Sequence, residues 1–132
     1  MEIVISNLSK CYGKKDVLKN VSLTVPSGMY GLLGRNGAGK TSLMRILATL
    51  SVPTSGDIQI NGVSIKETTK IREMVGYLPQ NFSMYRSMTV FGALDYLGLL
   101  SNIPDKVRKK RIYELLEQVN LQDNAKTKIK AL

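Results

Sequence analysis

The chain has 132 residues, 43% of them hydrophobic and 22% charged, and a net charge of +9. This length suits one modest domain or part of a larger one, and the composition excludes a disordered or low-complexity chain. A single cysteine, Cys11, and the lack of any histidine exclude a disulfide framework and a zinc cluster.

The basic balance points to an anionic partner without choosing among nucleotide, nucleic acid and membrane surface. No apolar run reaches the roughly 18 residues that a membrane-spanning helix needs, because "TVFGALDYLGLLSNI" is broken by Asp95. The N-terminus "MEIVISNLSK" has no basic lead and no long apolar core, so it does not read as a secretory signal, and a cytosolic location is expected.

In chain order, "EIVIS" and "NVSLTV" are predicted half-buried antiparallel strands, the second alternating Val21, Leu23 and Val25 with Ser22 and Thr24. Turn chemistry at Pro26-Ser27-Gly28 feeds "MYGLLG", a run expected to be a strand buried on both faces. Leu43, Ile46, Leu47 and Leu50 share one face of a predicted helix. Ile58–Ile60 and Val63–Ile65 are predicted strands joined across Asn61-Gly62, the preferred pair for a type I′ turn.

"TTKIREMV" is helical in composition, and "GYLPQ" reads as a brief strand stopped by Pro79. Further helices are expected to start near Thr89 and near Pro104, where Asp105 suits the positive end of the helix dipole. In the last helix Ile112, Leu115, Leu116 and Val119 share a face, and "KVRKKR" is expected to lie mostly on the solvated side.

The strongest chemical signal is "GRNGAGKT", residues 34–41, which fits the phosphate-loop pattern G-x-x-x-x-G-K-[ST]. Gly34, Gly37 and Gly39 allow unusual backbone angles and close approach, so that successive amides turn inward as an anion nest. Lys40 is expected to reach the β- and γ-phosphates and the Thr41 hydroxyl to sit on Mg²⁺. A helix starting around Gly39 adds its positive dipole end.

Together these residues resemble the nucleotide-binding domain of an ABC transporter over residues 2–132. The resemblance implies an α/β fold of the P-loop NTPase type: a mixed sheet, an N-terminal antiparallel β subdomain, and the start of a helical subdomain. Residues 1–80 would hold the β subdomain and phosphate-loop core, and residues 81–132 the Q-loop exit and helical part. It places Tyr12 where the family has the aromatic that stacks on adenine.

By the same resemblance, Gly34, Asn36, Gly37, Ala38, Gly39, Lys40, Thr41 and Ser42 bind ATP, with Ser42 where a second threonine is more usual. Gln80, in "VGYLPQ", stands at the Q-loop position, with a role toward Mg²⁺ or the attacking water. Lys40 and Gln80 are the catalytic candidates, and Thr41 and Gln80 the metal candidates. The segment "NFSMYRSMTVFGALDYLGLLSNI" would face a membrane-spanning subunit, with Tyr85 and Arg86 as contacts.

The implied cofactors are ATP and Mg²⁺. The implied partners are the membrane-spanning subunit and a second nucleotide-binding domain packed head to tail, with no nucleic acid, at the inner face of the cell membrane. The loop and its helix look most like those of exporters.

The family's LSGGQ-type signature, its Asp-Glu strand and its switch histidine have no counterpart in these 132 residues. Neither Asp57 nor Asp95 reads as a substitute. The expectation is therefore an N-terminal part, incomplete at its C-terminus, that hydrolyses ATP only within a full-length protein. The alternatives are a soluble ABC-type ATPase acting on the ribosome or DNA, which the charge suits, and a different phosphate-loop enzyme.

Overall fold

The alternating residues near the N-terminus form a long antiparallel hairpin, β1 (Ile3–Tyr12) and β2 (Lys15–Val25), in a computed structural model that describes residues 1–80 and 85–132. On its other edge β1 pairs with β3 (Ser55–Ile60), and β3 with β4 (Val63–Ser64). The sheet order is β2-β1-β3-β4, antiparallel throughout. Asn61 and Gly62 take φ of 50° and 75°, as a type I′ turn requires at both central positions.

Helix α1 (Lys40–Leu47) buries Leu43 and Ile46, and a short helix α2 (Thr68–Met74) buries Ile71. These side chains join Leu8, Ile58 and Ile60 of the sheet in one core. Full burial of such a side chain stabilises by about 1.5–3 kcal/mol. Ile46, completely buried, is therefore a position where truncation to alanine costs about 2–5 kcal/mol.

The chain divides into two compact units, Met1–Leu78 and Pro79–Leu132, each described by itself. The second is built on α3 (Val90–Leu100) and α4 (Asp105–Gln118), which bury Val90, Ile112 and Leu116 together with Ala125. Thr89 caps α3, its hydroxyl accepting from the Gly92 amide at 3.0 Å. The Val90 and Phe91 amides donate to the Thr127 and Ala125 carbonyls, so the first turn of α3 is satisfied within the unit.

Three helices end alike. After α1, α3 and α4 the residue past the cap is left-handed: Thr49, Asn102 and Asn120, at φ of 57°, 56° and 55°. The next amide reaches back each time, Leu50 to Arg45, Ile103 to Gly98 and Leu121 to Leu116. This is the Schellman arrangement, in which asparagine is an accepted substitute for glycine.

Several expectations need correction. "MYGLLG" is not a buried strand: Met29 is wholly exposed, Leu33 is 93% exposed, and among the described residues no strand pairs with the run. Apolar composition marks a segment able to pair, but a strand forms only where a neighbour supplies hydrogen bonds. "GYLPQ" is likewise not a strand, and Leu78 is exposed.

Leu50 lies past the end of α1, and Val119 past the end of α4, and both are exposed. Within "KVRKKR", Arg108 is buried rather than solvated. Residues 81–84, the start of the segment expected to face a membrane subunit, lie outside the described residues.

Candidate functional site

Gly34 to Thr41 connect the extended segment after Pro26 to α1. A turn closes where the Ala38 amide donates to the Arg35 carbonyl at 3.1 Å. Gly37 and Gly39 take φ of 84° and 87°, a region that side chains disfavour. At Gly39 a Cβ would also lie 2.7 Å from the Val17 carbonyl oxygen and 2.7 Å from Leu18 Cδ2. The loop is thereby pressed onto the start of β2, which fixes where α1 begins.

The amides of Lys40, Thr41 and Ser42 meet no acceptor among the described residues, and no acidic side chain stands in the first turn of α1. This contrasts with α3, whose first amides are all satisfied. An N-terminus with unpaired donors and the positive dipole end favours an anion. The Lys40 ammonium turns back onto the loop, donating to the Gly34 carbonyl and, at 2.9 Å, to the Arg35 carbonyl. Thr41 is exposed and Ser42 half-buried.

Tyr12 ends β1 and is 49% exposed. The Ser51 and Ser42 hydroxyls beside its phenol, and more weakly the charges of Lys10 and Arg45, hold its pKa below the usual phenol value. The structure thus brings the base-stacking candidate next to the first turn of α1. Gln80 lies in the second unit, exposed in a turn ahead of residues 81–84. Tyr85 is exposed, and the Arg86 carbonyl accepts from the Lys130 amide at 3.1 Å.

The family model described as "ABC transporter" matches residues 18–132. The chain belongs to the ABC transporter family. It is 38% identical over 125 residues to the linearmycin resistance ATP-binding protein LnrL of Bacillus subtilis, an alignment covering 93% of this chain and 40% of that protein. It is 39% identical over 134 residues to the methionine import ATP-binding protein MetN of Carboxydothermus hydrogenoformans, covering 95% and 40%. The chain thus spans about 40% of the length of these curated relatives.

Solved ABC structures share the fold. An ABC transporter ATP-binding protein from Pyrococcus furiosus superposes with a TM-score of 0.77 at 31% identity, over 100% of this chain and 63% of that one. The ATP-binding subunit of another ABC transporter gives 0.80 at 25% identity, over 97% and 54%. The mixed α/β class expected from the ABC resemblance therefore holds.

Sequence reasoning on this ABC family member missed two contributors. The pressure of β2 on Gly39 comes from Val17 and Leu18, which read as ordinary strand residues. Lys10, 4.8 Å from the Tyr12 ring centroid, was hidden because any strand puts residues i and i+2 on one face. The two rejected carboxylates have structural partners: Asp57 accepts from Ser64 at 3.5 Å, and Asp95 from Arg108 at 2.6 Å.

Proposed function

We propose that this chain is the nucleotide-gripping part of the ATP-binding subunit of an ABC transporter, in which MgATP binding and hydrolysis drive transport through a membrane-spanning partner. The observation that carries this reading is the set of unpaired amides at the start of α1, behind two left-handed glycines and beside Lys40. Backbone donors around Gly34, Asn36, Gly37, Ala38 and Gly39, with the amides of Lys40, Thr41 and Ser42, receive phosphate oxygens. Tyr12 stacks on adenine, a contact worth roughly 1–3 kcal/mol where aromatic–base stacks have been measured.

Lys40 exchanges the Gly34 and Arg35 carbonyls for phosphate oxygens, placing its cation against charge that develops during phosphoryl transfer. The Thr41 hydroxyl is this loop's candidate ligand for Mg²⁺, and no group of three or more His, Cys, Asp or Glu side chains able to hold a metal ion occurs among the described residues. That set fits an ion that takes most of its ligands from phosphate and water. When bound, Mg²⁺ offsets negative charge on the phosphates. The role of Gln80 rests on the family resemblance alone.

Relatives named for linearmycin resistance and for methionine import both support transport as the shared role. The relatives whose names give a direction are methionine import proteins, so they do not support the export expected from the loop and its helix, and the direction of transport is left open. A peripheral place at the inner membrane face and a head-to-tail pair of nucleotide-binding domains belong to the same proposal. Among the described residues no helix is long and apolar enough to cross a membrane.

In the full-length protein, Lys40→Ala should abolish ATP turnover, and wild-type turnover in that variant would sink the assignment. Co-purification with an integral membrane protein supports transport. Salt-sensitive binding to RNA or DNA would support instead the soluble ATPase that the +9 charge suits.

A further inference from the structure

Lys10 precedes Tyr12 by two residues on β1, so both side chains leave one face of the strand. The Lys10 ammonium lies 4.8 Å from the centroid of the Tyr12 ring and donates to the Val52 carbonyl at 2.6 Å. The segment that carries Val52 is itself tied to β1. The Thr54 amide donates to the Ser9 carbonyl and the Cys11 amide to Thr54 Oγ1, each at 2.9 Å.

The ring is therefore restrained from the side on which Lys10 stands. A cation anchored to the Val52 carbonyl, on a segment tied to β1, sits over it. Half of the side chain nevertheless remains open to solvent. An aromatic ring that is frozen only when ligand arrives loses rotamer freedom at that moment, which weakens binding; a ring already frozen does not. The cation–π attraction supplies that restraint without touching the ligand.

We infer that Lys10 is a positioning residue for base recognition: it holds the Tyr12 ring as a preformed platform on which the purine of a nucleotide stacks. This rests on the nucleotide reading above. A lysine that merely covers an aromatic ring for stability would act alike on ligands with and without a base.

The test uses the full-length protein and two probes, MgATP and magnesium tripolyphosphate, which has the phosphates but no base. Lys10→Gln should weaken MgATP binding by about two- to tenfold and leave tripolyphosphate binding unchanged. Lys10→Arg should restore MgATP affinity, and in a Tyr12→Ala background Lys10→Gln should have no further effect. If Lys10→Gln does not fold, Lys10→Met takes its place in the same comparison.

Unchanged MgATP affinity in Lys10→Gln, with wild-type binding intact, would overturn the role of Lys10. Equal weakening of both probes would also overturn it, pointing to direct phosphate contact or to a loss of fold. A wild-type protein that binds neither probe would remove the nucleotide reading itself.

Discussion

The Nε of Arg108 donates to Asp95 Oδ1 at 2.6 Å and ties α4 to α3. The guanidinium is buried, and its other nitrogens reach the Ile103 carbonyl at 2.7 Å and Asp105 Oδ1 at 3.0 Å. Its stem fills the space beside Gly98, where a Cβ would lie 2.5 Å from Arg108 Cδ. A buried charge is tolerated when each of its donors has a partner, and removing one partner leaves the desolvation uncompensated.

Asp95→Ala should therefore lower stability by about 2 kcal/mol, read from the urea midpoint at constant slope. The double variant Asp95→Leu with Arg108→Met should recover most of that loss, because no buried charge is left behind. A neutral Asp95→Ala would show that the pair contributes only geometry.

Gly37 and Gly39 share a left-handed backbone but not an environment. Space around Gly37 is open, so Gly37→Ala should cost about 1–2 kcal/mol of backbone strain. At Gly39 an added Cβ meets the Val17 carbonyl oxygen at 2.7 Å, and neither backbone can give way cheaply. Gly39→Ala should cost about 3 kcal/mol or more and abolish MgATP binding. Denaturation and equilibrium binding on the two variants check this order.

Thr49 occupies a left-handed site that Asn102 and Asn120 fill in the other two helix ends. A β-branched residue there is strained by about 1–2 kcal/mol. Its Oγ1 accepts from Arg72 Nε at 2.7 Å, an exposed bond worth less than about 1 kcal/mol. Strain outweighs the bond, so Thr49→Asn should raise stability by about 0.5–1 kcal/mol, measured by thermal and urea denaturation.

Cys11 Sγ lies 2.9 Å from Asp16 Oδ1. The bond to the Asp16 carboxylate, helped by burial and by the charge of Asp16, raises the thiol pKa above its ordinary 9.0. The same bond, followed by Lys19, lowers that of Asp16 below 3.8. The Cys11 contribution to stability is thus present below pH 9.0 and lost as pH climbs through the raised value. The Asp16 contribution is present above pH 3.8 and lost as pH falls through the lowered one. At about pH 8.5, iodoacetamide should alkylate Cys11 more slowly than a free thiol, and Asp16→Asn should speed the reaction about threefold, followed by mass spectrometry.

Much of the fold was legible because its signals are local. The spacing of Leu43, Ile46 and Leu47, the Asn61-Gly62 pair, the hydroxyl of Thr89 and the carboxylate of Asp105 each act within one or two turns of chain. The candidate loop was legible for the same reason, since its glycines, Lys40 and Thr41 are consecutive. By itself the sequence determined the family, the hairpins, the helix starts and the identity of the loop.

Tertiary structure decided the rest. Arg108 is buried because Asp95 and Ile103, 13 and 5 residues away, supply acceptors that its own helix face does not announce. Gly39 is irreplaceable because β2 lies against it, and Lys10 meets Tyr12 under a restraint set by Val52, 42 residues on. Met29 to Leu33, apolar enough for a core strand, stay exposed because hydrogen-bonded pairing requires a neighbour. Local chemistry fixes what each residue can do; distant contacts decide which of these options is realised.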